Sequence, residues 1–473
     1  MRKITYALGL IVAFGLLAQD KTALKFAKTI TSEDLKEHLS ILASDEYEGR
    51  ETGTKGQKMA AEYIANHFKS LGFEAPVEGS YFQKFNLTES SIGSVYFRKG
   101  DEKKMGFEDF VYYSSAETSG EEYITIVLAD EDKEDGYDGN YVLFSAEKLG
   151  GMQEKAEQAT AAGAKGVIIM LEDDTEFESF ITRYSPYLQR PSLRAKARDN
   201  EATKLVIGDQ AMIEWMFGKP FAEIKGNESA QIIFNADYLD KPVETENVLG
   251  YLKGSEMPDE LLIVTAHYDH VGIIGGEIHN GADDDGSGTV TVLEIAEAFS
   301  EAMKKKKGPK RSVLFMTVTG EEKGLLGSLY YTDTDPVFPL ENTVANLNID
   351  MVGRIDDAHA ENPDYVYVIG SDKLSTELHE LSENVNKTYT NLDLDYTYND
   401  ENDPNRFYYR SDHYNFAKNN IPIIFYFNGT HPDYHQPTDT IEKIAFDTME
   451  KRARLVFHTA WEIANRAERI KVD

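Results

Sequence analysis

The chain has 473 residues, enough for two or three domains around a large buried core. Hydrophobic residues make up 41% and charged residues 28%, values that exclude wholesale disorder. With 82 acidic against 49 basic residues the net charge is −33, which argues against nucleic acid or anionic membrane as a partner and reads as a solubility device.

The first predicted element is a secretory signal at 1–19. Arg2 and Lys3 precede an apolar stretch at 7–17, and Ala18 stands before the polar pair Gln19-Asp20. The apolar run is short for a bilayer span, and no later segment is long enough for one. Secretion, or residence in a bacterial periplasm, is therefore expected. There is no cysteine, which removes disulfides, thiolate ligands and a cysteine nucleophile.

Residues 31–75 predict two amphipathic helices. Thr31-Ser32-Glu33-Asp34 supplies capping hydroxyls and early carboxylates for the first, and 56–71 carries the second. The polar loop between them holds Gly49, Gly53 and Gly56. Short alternating runs at 81–87, 94–97 and 123–128 read as strands. The texture then changes over 106–242. There a strand at 141–144, an alanine-rich helix through 158–166 and a strand at 167–170 make a βαβ unit without candidate catalytic residues. This segment is expected to be a smaller inserted α+β or β-rich domain, with 20–105 and 243–473 forming the main one. From 243 onward, strands at 261–266, 312–318, 344–349, 365–369 and 421–427 alternate with helices at 289–303, 374–386 and 446–466. That is the pattern of an α/β fold, a doubly wound mixed sheet flanked by helices.

Five motifs fall within this last region, four of them at or soon after a predicted strand. They are LLIVTAHYDH (261–270), NGADDDGSG (280–288), TVTGEEKG (317–324), NLNIDMVGR (346–354) and HPDYHQPTDT (431–440). Open α/β sheets place their chemistry at the carboxyl ends of strands, so residues distant in sequence converge there. The candidates are His267, Asp269, Asp284, Glu321, Glu322, Asp350 and His435, nitrogen and carboxylate donors of the kind zinc accepts. Singly, most have a plain explanation, while Asp350, directly after a strand, leans towards function. His267, Asp269 and His435 can be loop polars, the three aspartates can serve the dipole of the next helix, and Glu321-Glu322 can be a solvated turn. Together and in order, they point to a two-metal cage with one glutamate left free to take a proton from water.

Over 243–445 these motifs resemble the co-catalytic di-zinc aminopeptidases of peptidase clan MH, which include bacterial leucyl aminopeptidases and glutamate carboxypeptidase-like proteins. Leu42-Ala43-Ser44-Asp45, Glu48-Gly49-Arg50, Gly53-Thr54, Gly56 and Ala60-Ala61 are similar to that family's N-terminal region. Ala162-Gly163-Ala164-Lys165-Gly166-Val167 makes the 106–242 insert resemble a protease-associated domain. The resemblance implies two Zn2+ per chain, with cobalt or manganese compatible with the same donors. Asp284 would bridge them, His267 and Asp350 completing one site and Glu322 and His435 the other. It also implies Glu321 as general base, Asp269 orienting His267, Tyr434 assisting the oxyanion, and a cis peptide between Asp284 and Asp285. The implied activity is that of an exported exopeptidase, an aminopeptidase acting on peptides through a hydroxide shared by the two ions. A carboxypeptidase or dipeptidase on the same metals, and a non-catalytic binding protein on a peptidase scaffold, stay open as alternatives. Residues 397–415, with Arg406, Phe407, Arg410, Ser411, Asp412 and His413, precede the last strand and are expected to line the specificity pocket.

Overall fold

The computed structural model describes residues 19–129, 136–137, 139–148, 150–196, 200 and 202–473. The expected signal lies outside them except for Gln19. Two compact units result, one made of the chain up to Phe85 together with Glu244–Asp473, the other of Asn86–Val243. Among the described residues no helix is long and apolar enough to cross a membrane.

The larger unit is built on a mixed sheet. Its strands are β1 (Ser229–Leu252, from residue 244), β2 (Met257–His267), β3 (Arg311–Val318), β4 (Thr343–Ile349), β5 (Tyr365–Ile369), β6 (Asp393–Asp395) and β7 (Ile423–Phe427). They run in the order β6-β5-β7-β4-β2-β3-β1. The four central strands β7, β4, β2 and β3 are mutually parallel, while β1 and β5 pair antiparallel to β3 and β7. The central strands are apolar almost throughout because both faces are covered. Alternate residues go to opposite sides. Leu262, Val264, Ala266, Val313 and Phe315 enter the main core, and Leu261, Ile263, Leu314, Met316 and Val318 enter a second one. Burying each of these larger side chains, Ala266 aside, contributes about 1.5–3 kcal/mol.

Helices α1 (Ser32–Leu42), α2 (Lys55–Leu71), α3 (Gly288–Lys304), α4 (Thr376–Tyr389) and α5 (Phe446–Asn465) begin and end within a few residues of their expected places. Thr31 caps α1 by accepting from the Asp34 amide, and Gly72, with φ +82°, closes α2. On α5, His458 stacks against Tyr389 with ring centroids 4.0 Å apart. Burial, helped by Arg454, holds its imidazole down to about 4. The unfolded chain therefore takes up this proton first, so stability is full above about pH 6.5 and falls as pH drops towards 4. His458→Phe, which keeps the stack, is expected to remove roughly 2 kcal/mol of that acid loss. Calorimetric Tm values at pH 7 and pH 4.5 check this, and an acid loss unchanged by the substitution would refute it.

The smaller unit has its own parallel strands, Glu122–Leu128, Tyr141–Ala146, Gly166–Leu171 and Lys204–Gly208, with a hydrophobic cluster on each face. It begins earlier than the expected residue 106. The segment around Tyr96–Lys99 pairs with Glu102–Met105, and Val95 and Phe97 enter the core of the smaller unit, so the strand just before 106 belongs to that unit. The strands expected at 81–87 and 94–97 are one strand, Phe82–Lys99. The βαβ helix is Met152–Ala161 rather than 158–166, because Gly163 takes φ +92° and ends it.

Candidate metal centre

All seven candidates lie in the larger unit. Strand β2 ends at His267, and Glu321 and Glu322 come three and four residues after β3. Asp350 comes directly after β4, and His435 lies on the loop after β7. Because these four strands are adjacent and parallel, their carboxyl ends form one row.

The aspartate run joins this row through an irregular turn, Ala282–Ser287, that leads into α3, and its Asp284–Asp285 peptide is cis. The flanking aspartates are occupied with backbone. Asp285 accepts from the amides of Gly288 and Met351, both at 2.9 Å, and of His267 at 3.2 Å. Asp283 accepts from the Gly353 amide at 2.7 Å and the Ser287 hydroxyl at 2.9 Å, and lies 3.1 Å from His431 Nε2. The Asp283 and Asp284 amides both donate to Asp439. The middle carboxylate, Asp284, is left to face the centre. Gly288 is required here, since a Cβ would run into the Asp285 carboxylate.

Two groups of donors meet at Asp284. On one side, His267 Nε2 stands 3.3 Å from Asp284 Oδ1, 3.6 Å from Asp350 Oδ1 and 3.8 Å from Glu321 Oε2. On the other, His435 Nε2 stands 3.0 Å from Asp284 Oδ2 and 3.1 Å from Glu322 Oε2. His270 Nδ1 lies 2.8 Å from Glu322 Oε1 and 3.7 Å from Asp284 Oδ2. Asp284 Oδ2, Glu322 Oε1, His435 Nε2 and both ring nitrogens of His270 are buried without a hydrogen-bond partner. Native proteins rarely leave such atoms orphaned, and a cluster of them with zinc-type donors fits a cation.

The electrostatics agree. Burial works against a charged His267, but the Glu321 and Asp350 carboxylates override it and raise its affinity for protons. Burial and Asp284 push Glu322 up, yet His270 and His435 bring it down to about 2. Glu321 is held well above the usual carboxylate range, first by burial and then by neighbouring carboxylates, against the pull of His267. Tyr434 is likewise raised, by burial and by the four carboxylates around it, and keeps its phenolic proton.

Asp269 contacts the His267 ring through its backbone: its carbonyl lies 3.0 Å from His267 Nδ1, and its carboxylate is 3.7 Å away. That carboxylate instead accepts from Thr52 at 2.8 Å and from the Glu321 amide at 3.3 Å, so it fixes the turn that carries Glu321. Two residues escaped the sequence reading. His270 stands one position past Asp269 in the same motif. Arg50 is fully buried and donates to the carbonyls of Leu42, Tyr268, Asn280 and Gly281, tying the loops behind His267 and Asp284 together.

Beside the centre, Asp284, Glu321, Asp350 and Tyr434 share a cavity of about 30 Å³ with Met351, Phe407, Phe425, Phe427, Thr430 and Arg410. Of the segment 397–415, Phe407 and Arg410 reach it. Ser411, Asp412 and His413 are buried instead, and Arg406 stacks over Tyr409, 4.9 Å from the ring centre.

Residues 247–460 match the profile of Peptidase family M28. Over 436 residues the chain is 26% identical to aminopeptidase YwaD of Bacillus subtilis, covering 89% of this chain and 83% of that one. A probable zinc metalloprotease of Pyrenophora tritici-repentis is 38% identical over 119 residues, 24% of this chain and 23% of its own length. Among solved structures, the aminopeptidase from Aneurinibacillus sp. strain AM-1 aligns with a TM-score of 0.54 at 18% identity, over 95% of this chain and 98% of that one. BSAP, a zinc aminopeptidase from Bacillus subtilis, aligns with a TM-score of 0.52 at 21% identity, over 92% and 96%. These two likenesses establish the fold.

Proposed function

From the match of residues 247–460 to Peptidase family M28 we propose that this chain is an exported zinc aminopeptidase, removing N-terminal residues from peptides. The observation that supports this most is the pair of donor groups sharing Asp284, with the Glu321 carboxylate beside them. In this reading Asp284, His267 and Asp350 hold one zinc ion, and Asp284, Glu322 and His435 hold the other. When bound, the ions supply Lewis acidity for a substrate carbonyl and for water. Glu321 takes the proton of the attacking water and returns it to the departing amine. The Tyr434 phenol, still protonated, donates to the oxygen on which charge develops. Asp269 keeps Glu321 in place through its amide. The walls Met351, Phe407, Phe425 and Phe427 receive an apolar side chain, and Glu321 and Asp350 face the substrate's free amine. Export rests on residues 1–19.

Comparing free and N-acetylated aminoacyl substrates, each with and without a zinc chelator, tests the reading. Cleavage of the free substrate alone, abolished by the chelator, is expected. Equal cleavage of the blocked substrate would sink it. A carboxypeptidase or dipeptidase reading draws its support from Arg410, a cation at the cavity able to take a substrate carboxylate, and the same comparison separates the two.

His270 supports Glu322 in this scheme. Outer partners of metal ligands typically change affinity 10–100-fold, so His270→Ala is expected to weaken the second zinc by about that factor. Competition with a chromogenic chelator measures it, and an unchanged affinity would remove His270 from the scheme.

A further inference from the structure

Three helices of the larger unit bring a second set of donors together, on residues the catalytic scheme does not use. His38 lies on α1, His67 on α2, and Glu294 and Glu297 lie three apart on α3, sharing a face. His38 Nε2 stands 3.6 Å from Glu294 Oε1 and 3.6 Å from Glu297 Oε1, and His67 Nε2 stands 3.3 Å from Glu297 Oε1. The two rings meet edge to face, centroids 4.7 Å apart. His38 Nδ1 contacts the Tyr63 hydroxyl at 2.7 Å, which leaves Nε2 for the cluster.

These distances are long for direct hydrogen-bonded ion pairs, which close to about 2.7–2.9 Å. They are close to the edge of a tetrahedron around one ion, about 3.4 Å for bonds of about 2.1 Å; one donor atom each of His38, His67 and Glu297 lies within 4.8 Å of the others, and Glu294 joins them through His38. The Glu294 side chain is fully buried, and neither of its oxygens completes a hydrogen bond, although the Thr31 amide faces it. His67 Nε2 is also buried and unpartnered. Glu297, with its side chain 35% exposed, opens the cluster to solvent.

We propose that His38, His67, Glu294 and Glu297 form a separate site for a single divalent transition-metal ion of zinc's type, which fastens α1, α2 and α3 to one another. Two imidazoles and two carboxylates are a donor set that zinc takes, and the ion sits in the scaffold rather than at the substrate.

The test uses the full chain loaded with Zn2+ and dialysed against buffered free zinc, with metal counted by elemental analysis. The double variant His38→Ala/His67→Ala is expected to hold one ion fewer per chain than the wild type while cleaving substrate at the wild-type rate. Glu294→Gln keeps the shape of the side chain and guards against a folding defect in the double variant. It too should lose one ion, and Zn2+ added to the catalytically loaded protein should raise Tm in the wild type but not in this variant. Equal metal content in wild type and Glu294→Gln, with equal Tm responses, would overturn the site. This count is independent of the peptidase reading, whose failure would appear as absent activity in the wild type.

Discussion

Replacing Glu321 by glutamine is expected to lower kcat by on the order of 10³-fold or more, with zinc content unchanged and KM within a few-fold of the wild type. The amide has nearly the volume of the carboxylate and the same backbone, so the Glu321 amide can still donate to Asp269, 3.3 Å away. What disappears is the basic oxygen beside Asp284 and His267. An amide takes no proton at any working pH, so the attacking water must lose its proton unaided. Because that transfer belongs to the transition state, the loss should fall on kcat rather than on KM. Steady-state kinetics with elemental analysis decide the matter. A variant retaining more than a tenth of wild-type kcat would move the base elsewhere, and one that lost zinc would make Glu321 a ligand, as its 3.8 Å approach to His267 Nε2 allows.

The convergence of the site was legible because it derives from topology. Once the strands at 261–266, 312–318, 344–349 and 421–427 are read as parallel neighbours, His267, Glu321, Glu322, Asp350 and His435 must meet at one edge. The middle aspartate also stands out in the structure, since Asp283 and Asp285 are consumed by the amides of Gly353, Gly288 and Met351. What stayed hidden depends on atoms rather than residue types. A sequence does not say whether His267 Nδ1 meets the carboxylate or the carbonyl of Asp269, two groups of one residue. His270, adjacent to a named candidate, is one more loop polar until its ring is placed 2.8 Å from Glu322. The start of the smaller unit was misplaced because 94–97 reads as an independent strand. Its pairing with Glu102–Met105 is a register fact that alternation alone does not carry.

Arg50→Met should destabilise the larger unit by about 4 kcal/mol, enough to remove a large share of a domain's net stability. The guanidinium is 1% exposed, and its Nε, Nη1 and Nη2 reach Tyr268, Leu42, Asn280 and Gly281 carbonyls at 2.7–2.9 Å. Burial alone would lower its affinity for the proton, and Asp269, Asp284, Asp439 and Asp285 counter that from the metal side. Methionine fills much of the volume but donates nothing, so four carbonyls lose a donor in a place water does not enter, each at about 1–3 kcal/mol. Lysine should rescue poorly, because one ammonium on a flexible stem cannot serve carbonyls that a planar fork meets from several sides. Three of those carbonyls, on Tyr268, Asn280 and Gly281, belong to the loops that carry His267 and Asp284. Zinc affinity should therefore fall along with stability. Calorimetry of zinc-loaded wild type, Arg50→Met and Arg50→Lys is expected to show Tm falling by roughly 10 °C in the first variant and nearly as far in the second. A change within 2 °C in Arg50→Met would mean that the loops hold themselves, and that the buried fork is not what aligns the two ends of the metal cage.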